Sequence, residues 1–96
     1  MRVMAKITMS TDEGNKAVRD GNLRKVMQGA EDRWHPEAMY FTTFDGHRTA
    51  FMVFDMPDPS DWPPFAEPFF QNVGALVELS PVMNRDDLQK GLSQVT

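Results

Sequence analysis

Residues Glu37 to Met56, EAMYFTTFDGHRTAFMVFDM, constrain this chain more than any other stretch. Two runs rich in aromatic and β-branched residues flank Asp45-Gly46, a dipeptide suited to a two-residue type I′ turn because both central residues take φ > 0. With those residues at the turn, Phe44 faces His47, Thr42 faces Thr49, Tyr40 faces Phe51 and Ala38 faces Val53 on one side. The other side carries Met39, Phe41, Thr43, Arg48, Ala50, Met52 and Phe54. An antiparallel hairpin with one wet face alternates apolar with polar residues. Here both sides are largely apolar, so the spacing predicts a hairpin covered on both.

The flanking segments supply the rest of a sheet. Arg2 to Met9 alternates, with Val3, Ala5, Ile7 and Met9 on one face and Met4, Lys6 and Thr8 on the other, the period of a half-buried strand. Ser10 and Glu13 have the spacing of a capping box, which predicts a helical region over Asp12 to about Arg33. Gly14 and Gly21 weaken it, each costing about 1 kcal/mol in a helix interior, and Asp20-Gly21-Asn22 divides it. The second piece carries the stripe Leu23, Val26, Met27, Ala30, and His35-Pro36 closes it.

After the hairpin, Ser60 is the expected cap of a short kinked helix from Asp61 to about Gln71, packing through Trp62, Phe65, Phe69 and Phe70 and interrupted by Pro68. Ala75 to Ser80 reads as a last strand, with Pro81 marking an edge. Residues 1–83 form the expected domain. Residues 84–96 are a C-terminal tail with a short helix capped by Asn84, whose Leu88 and Leu92 are expected to dock because so short a helix is marginal alone.

This order, β-α-β-β-α-β with right-handed crossovers, predicts an α+β ferredoxin-like plan. Four antiparallel strands in the order 4-1-3-2 carry the helices on one face. Val3, Ala5, Ile7, Met9, Phe41, Ala50, Met52, Phe54, Val77 and Leu79 face the helices. The open face carries Met4, Lys6, Thr8, Tyr40, Thr42, Phe44, His47, Thr49, Phe51, Val53, Leu76 and Glu78, too apolar to stay wet. A second copy would cover it in a two-fold pair, leaving a cavity where the sheets do not touch.

Several segments resemble a known group. They are Pro36-Glu37-Ala38-Met39-Tyr40-Phe41-Thr42-Thr43, Asp45-Gly46, Arg48-Thr49-Ala50 and Phe54-Asp55-Met56, with Gly14-Asn15, Asp20-Gly21, Ala66-Glu67-Pro68, Val77-Glu78, Pro81-Val82-Met83 and Asp87-Leu88. Together they resemble small uncharacterised bacterial proteins of the dimeric α/β-barrel superfamily. The resemblance covers nearly the whole chain and implies a homodimeric α/β barrel, with no activity to transfer. The wider superfamily includes cofactor-independent monooxygenases, haem-degrading enzymes, isomerases and ligand binders, and fold does not choose among them.

Composition narrows the chemistry. A net charge of −4 over 96 residues argues against nucleic acid or an anionic membrane as partner. The chain has no cysteine, which removes disulfides, thiolate zinc sites and cysteine nucleophiles and fits a cytoplasmic location. No apolar run reaches the length of a membrane span, and Arg2 and Lys6 interrupt what would be a signal peptide's core. His35 and His47 lack partners at metal-ligand spacing, Asp55, Asp58 and Asp61 form no calcium loop, and no G-x-S-x-G is present. RNA-recognition domains share the strand order, but Arg48 and Thr49 stand where a stacking platform needs glycine and an aromatic.

No cofactor is expected. What remains is a homodimer with a pocket for a small apolar or aromatic ligand, a purely structural or regulatory homodimer, or a cofactor-independent enzyme. The candidate ligand-binding residues are Lys6, Tyr40, Thr42, Phe51 and Glu78. Lys6 and Glu78 fall on neighbouring strands, and a Glu78 carboxylate partly buried among Leu76, Phe44 and Phe51 would be poised as a base or acceptor.

Overall fold

A computed structural model of the protein describes residues 1–95. Strands β1 (Arg2–Thr8), β2 (Ala38–Phe44), β3 (His47–Asp55) and β4 (Leu76–Pro81) form one antiparallel sheet in the order β2-β3-β1-β4. This is the expected α+β ferredoxin-like arrangement. Asp45 (φ 52°) and Gly46 (φ 77°) both adopt the left-handed conformation, and the hairpin pairs Phe44 with His47, Thr42 with Thr49 and Tyr40 with Phe51. The turn chemistry set the register.

The helical region between β1 and β2 is two helices, α1 (Thr11–Asp20) and α2 (Asn22–Trp34). The Ser10 hydroxyl accepts from the Glu13 N–H at the start of α1, and Gly21, at φ 80°, turns the chain between the two. Gly14 is buried for a reason beyond helix propensity. The Arg48 side chain crosses α1 there to donate to Asn15 Oδ1 at 2.9 Å, and a Cβ on Gly14 would meet Arg48 Nη1 at 2.8 Å.

The linker to the next helix differs from expectation. Asp58, not Ser60, is the cap: its carboxylate accepts from the Ser60 N–H and hydroxyl, and Asp61 reciprocates to the Asp58 N–H, closing a 3-10 turn over Pro59–Asp61. Helix α3 (Trp62–Val73) then runs on through Pro68. The proline withdraws one donor, but Phe65, Ala66, Phe69 and Val73 still form one buried stripe that holds the helix on the sheet.

That stripe meets β3 in an aromatic cluster. Phe54 stacks on Phe65 with centroids 4.5 Å apart, Trp34 lies 5.6 Å from Phe54 and 5.9 Å from Phe65, and Phe69 lies 5.5 Å from Phe65. Val3, Ala5, Ile7, Ala50 and Met52 floor it from the sheet, and Ala17, Val26 and Ala30 close it from the helices. Trp34 extends the α2 stripe by one turn beyond Met27 and Ala30. Trp62 and Phe70 stay outside the core: Trp62 shares the stripe's side but stands at the first position of α3, and Phe70 is one position off the stripe.

Two further expectations change. Phe41 lies on the helix side of the sheet, yet its side chain is 66% exposed, because β2 is an edge strand and Tyr40 through Phe44 are all exposed. Helix α4 (Arg85–Leu92) forms with the expected Asn84 capping box, but it buries none of its residues against its own chain. Among the described residues, Leu88 and Leu92 are therefore only partly covered. Among the described residues no helix is long and apolar enough to cross a membrane.

The cluster predicts a sharp contrast. Phe65→Ala is expected to cost about 3–5 kcal/mol, and Trp62→Ala much less, in urea unfolding at one fixed protein concentration. A second prediction concerns acid. The hydrogen bonds from Ser60 hold the Asp58 carboxyl below its ordinary value of 3.8. A folded pKa below the unfolded one contributes stability above 3.8, lost as pH falls through the folded value. Asp58→Asn should flatten that part of the stability profile below pH 4, measured by thermal unfolding against pH.

Candidate functional site

Strand pairing brings four of the five candidate residues into one line. Tyr40 pairs with Phe51, Phe51 with Lys6 and Lys6 with Glu78, so the row crosses all four strands on the face opposite the helices. Thr42 stands in the next row with Thr49, Thr8 and Leu76. One row to the other side are Ala38, Val53, Met4 and Ser80. The period of two makes this alignment strict, since a one-residue slip of any strand would send its member of the row into the core.

Lys6 is the centre of the row. Its side chain is only 24% exposed, because the aliphatic stem lies on apolar neighbours while the ammonium finds two partners. Nζ sits 3.4 Å from the centroid of the Phe44 ring and 3.8 Å from Glu78 Oε2. The ring presents its negative face to the charge, and Phe44 is itself braced edge-on by Phe51 at 6.5 Å. The expected partition is thus corrected in one respect. Phe44 serves the Lys6 ammonium, and the Glu78 side chain is 71% exposed, not lodged among Leu76, Phe44 and Phe51.

The neighbouring polar group on this face is satisfied. Thr49 is buried, and its hydroxyl donates to the His47 carbonyl at 3.1 Å. His47 itself is exposed beside the turn.

At the opposite end of the same face, Arg2 makes an arrangement that no spacing in the sequence announced. Its Nε donates to Glu37 Oε1 at 2.6 Å and its Nη1 to Asp87 Oδ2 at 3.1 Å. The Glu37 carboxylate, more than any other neighbour, holds the Arg2 guanidinium above its ordinary pKa. Contacts across 35 and 85 residues leave no periodic trace.

Within a single chain the row is an open surface rather than a cavity. The concavities that the chain does form lie elsewhere. A groove of about 550 Å3 runs between α2 and α3, lined by Lys25, Arg33, Trp34 and Pro68 among others. An apolar recess of about 230 Å3 lies by Val3, Met56, Trp62 and Leu79. Among the described residues no three His, Asp or Glu side chains converge to hold a metal ion. Chemically, the row offers one ammonium, one carboxylate and one phenol on an aromatic and aliphatic ground. That set can orient a ligand through a few polar contacts while burying its apolar body.

No protein-family model matches the chain, and no curated protein matches it.

The Lys6–Glu78 contact is long and half in water, so Lys6→Met with Glu78→Gln should change folding stability by no more than about 1 kcal/mol. Chemical denaturation of the double variant beside the parent protein measures this directly.

Proposed function

We propose that the protein is a homodimeric α/β barrel that binds a small apolar or aromatic ligand between two sheets packed through their open faces. Lys6, Tyr40, Thr42, Phe51 and Glu78 contact the ligand. The observation that carries this reading is the row itself: a lysine side chain that is only a quarter exposed, its ammonium held by a ring and a carboxylate, in the middle of a sheet face made of Met4, Phe44, Phe51, Val53 and Leu76. Such a face is costly in water. A two-fold pair of identical faces is the simplest way to cover it.

The resemblance of the hairpin and flanking segments to dimeric α/β-barrel proteins supports the same assembly. A chain without cysteine suits the reducing cytoplasm, where we place it.

Binding is favoured over catalysis by the residues in the row. Glu78 is largely exposed and is paired with the Lys6 ammonium, the setting of a recognition group more than of a proton-transfer group held against a substrate. The role we assign to Lys6 and Glu78 is recognition, with Tyr40 and Thr42 as hydrogen-bonding groups and Phe51 as the stacking surface.

Light scattering at micromolar concentration is expected to give twice the chain mass, and Phe51→Asp to give the chain mass alone. A persistent monomer of the parent protein would remove the enclosed site. A thermal-shift panel of phenols and aromatic carboxylates should contain a stabilising ligand. Lys6→Met with Glu78→Gln should then weaken its binding at least tenfold, about 1.4 kcal/mol, with the fold intact. Retained affinity would take these two residues out of the site.

A further inference from the structure

Helix α4 is specified locally and, apart from the ion pair between Arg2 and Asp87, has little support from the described residues of its own chain. Asn84 and Asp87 close a capping box, Asp86 and Asp87 stand in the first turn, and Lys90 stands in the last. Leu88 and Leu92 follow at i and i+4, one turn apart on one side of the helix. Yet Leu88 is 44% and Leu92 59% exposed. An isolated helix of eight residues is marginal in water, so this pair calls for a cover.

The start of the helix is fixed in place. The Val82 N–H donates to the Arg2 carbonyl, extending the β1–β4 ladder, and the Arg2 guanidinium holds Asp87. Arg2 alternates with the core residue Val3 and shares its side of β1 with Met4 and Lys6. Its side chain thus ties the arm to the open face. The helix leaves from the β4 edge of the sheet. At the other edge, β2 is bare on both sides: Tyr40 and Thr42 on the open face, Phe41 and Thr43 on the helix side. One edge of the molecule has a helix without a sheet, and the other has a strand without a helix.

The area of the open face points the same way. Strands of six to nine residues, spaced about 4.8 Å apart, present a flat footprint of roughly 480 Å2 per copy. A stable pair buries about 800 Å2 of accessible surface on each partner. The sheets alone make a small interface, and further apolar surface from each copy would bring it to ordinary size.

We propose that α4 is an arm that crosses to a second copy of this chain and lays Leu88 and Leu92 on that copy's bare β2 at Phe41. This inference rests on the face-to-face dimer proposed above. Two-fold symmetry makes the exchange reciprocal, each copy giving an arm and receiving one.

Three full-length variants and one cross-link test it. Leu88→Glu with Leu92→Glu, and separately Phe41→Glu, should each raise the dimer dissociation constant at least tenfold by sedimentation equilibrium. The triple variant should be little worse than either, since both changes remove one contact. All these residues are exposed in the single chain, so far-UV circular dichroism should be unaltered. Because the protein has no cysteine, a mixture of Phe41→Cys and Leu88→Cys chains should form an inter-chain disulfide under mild oxidation. A mixture of Val18→Cys and Leu88→Cys, with Val18 exposed on α1, should not. A dimer that Phe51→Asp dissociates but the arm variants leave unchanged overturns the arm and leaves the sheet pairing standing. Equal cross-linking in the two mixtures also overturns the arm. A monomeric parent protein overturns both.

Discussion

The stack of Phe54 on Phe65 decides which side of the sheet the helices occupy, and most of the molecule follows from it. Phe54 is on β3, one of the two inner strands, and Phe65 on α3, so their contact joins the hairpin to the second half of the chain. Trp34 and Phe69 wrap the pair from α2 and α3. With these rings packed on one face, the helices are committed there. Among the described residues, α4 is the one helix left that could cover the other face, and it leaves the sheet instead.

The open face is a consequence of that commitment. Its residues alternate with the core residues along every strand, so their identities are tied to the same register that builds the core. Lys6 illustrates the economy of the arrangement. Flanked by Ala5 and Ile7, both buried, it must point away from the helices, and its ammonium takes up Phe44 from the hairpin and Glu78 from the last strand. Three segments distant in sequence meet at one charge. A ring face and a largely exposed carboxylate suffice to hold it, because neither requires the charge to leave water entirely.

The two ends of the chain are coupled through Arg2. Its side chain bridges Glu37, at the entrance to the hairpin, and Asp87, in the first turn of α4. The Met1 ammonium also meets Asp55 at the end of β3 at 2.7 Å. The amino terminus thus collects the carboxylates at one end of the sheet. The direction of α4 is set by these contacts rather than by packing, which is why its leucines remain only partly covered.

Elements with local causes were legible in the residues alone: the turn at Asp45-Gly46, the caps at Ser10 and Asn84, the break at Gly21, and the alternation of β1 and the hairpin. From these the strand order and the two faces follow, and with them the row of Lys6, Tyr40, Phe51 and Glu78. Tertiary structure decided which apolar residues are actually covered. Phe41 and Phe70 have the same composition value as Phe54 and Phe69, but one lies on an uncovered edge strand and the other off the buried stripe of α3. Periodicity reports the side on which a residue lies; whether another element reaches that side depends on helix lengths and placement across the sheet. Nor did any spacing give Arg2 its two carboxylates or Gly14 its crossing arginine. Such contacts join residues far apart in the chain, and only the assembled sheet brings them within reach.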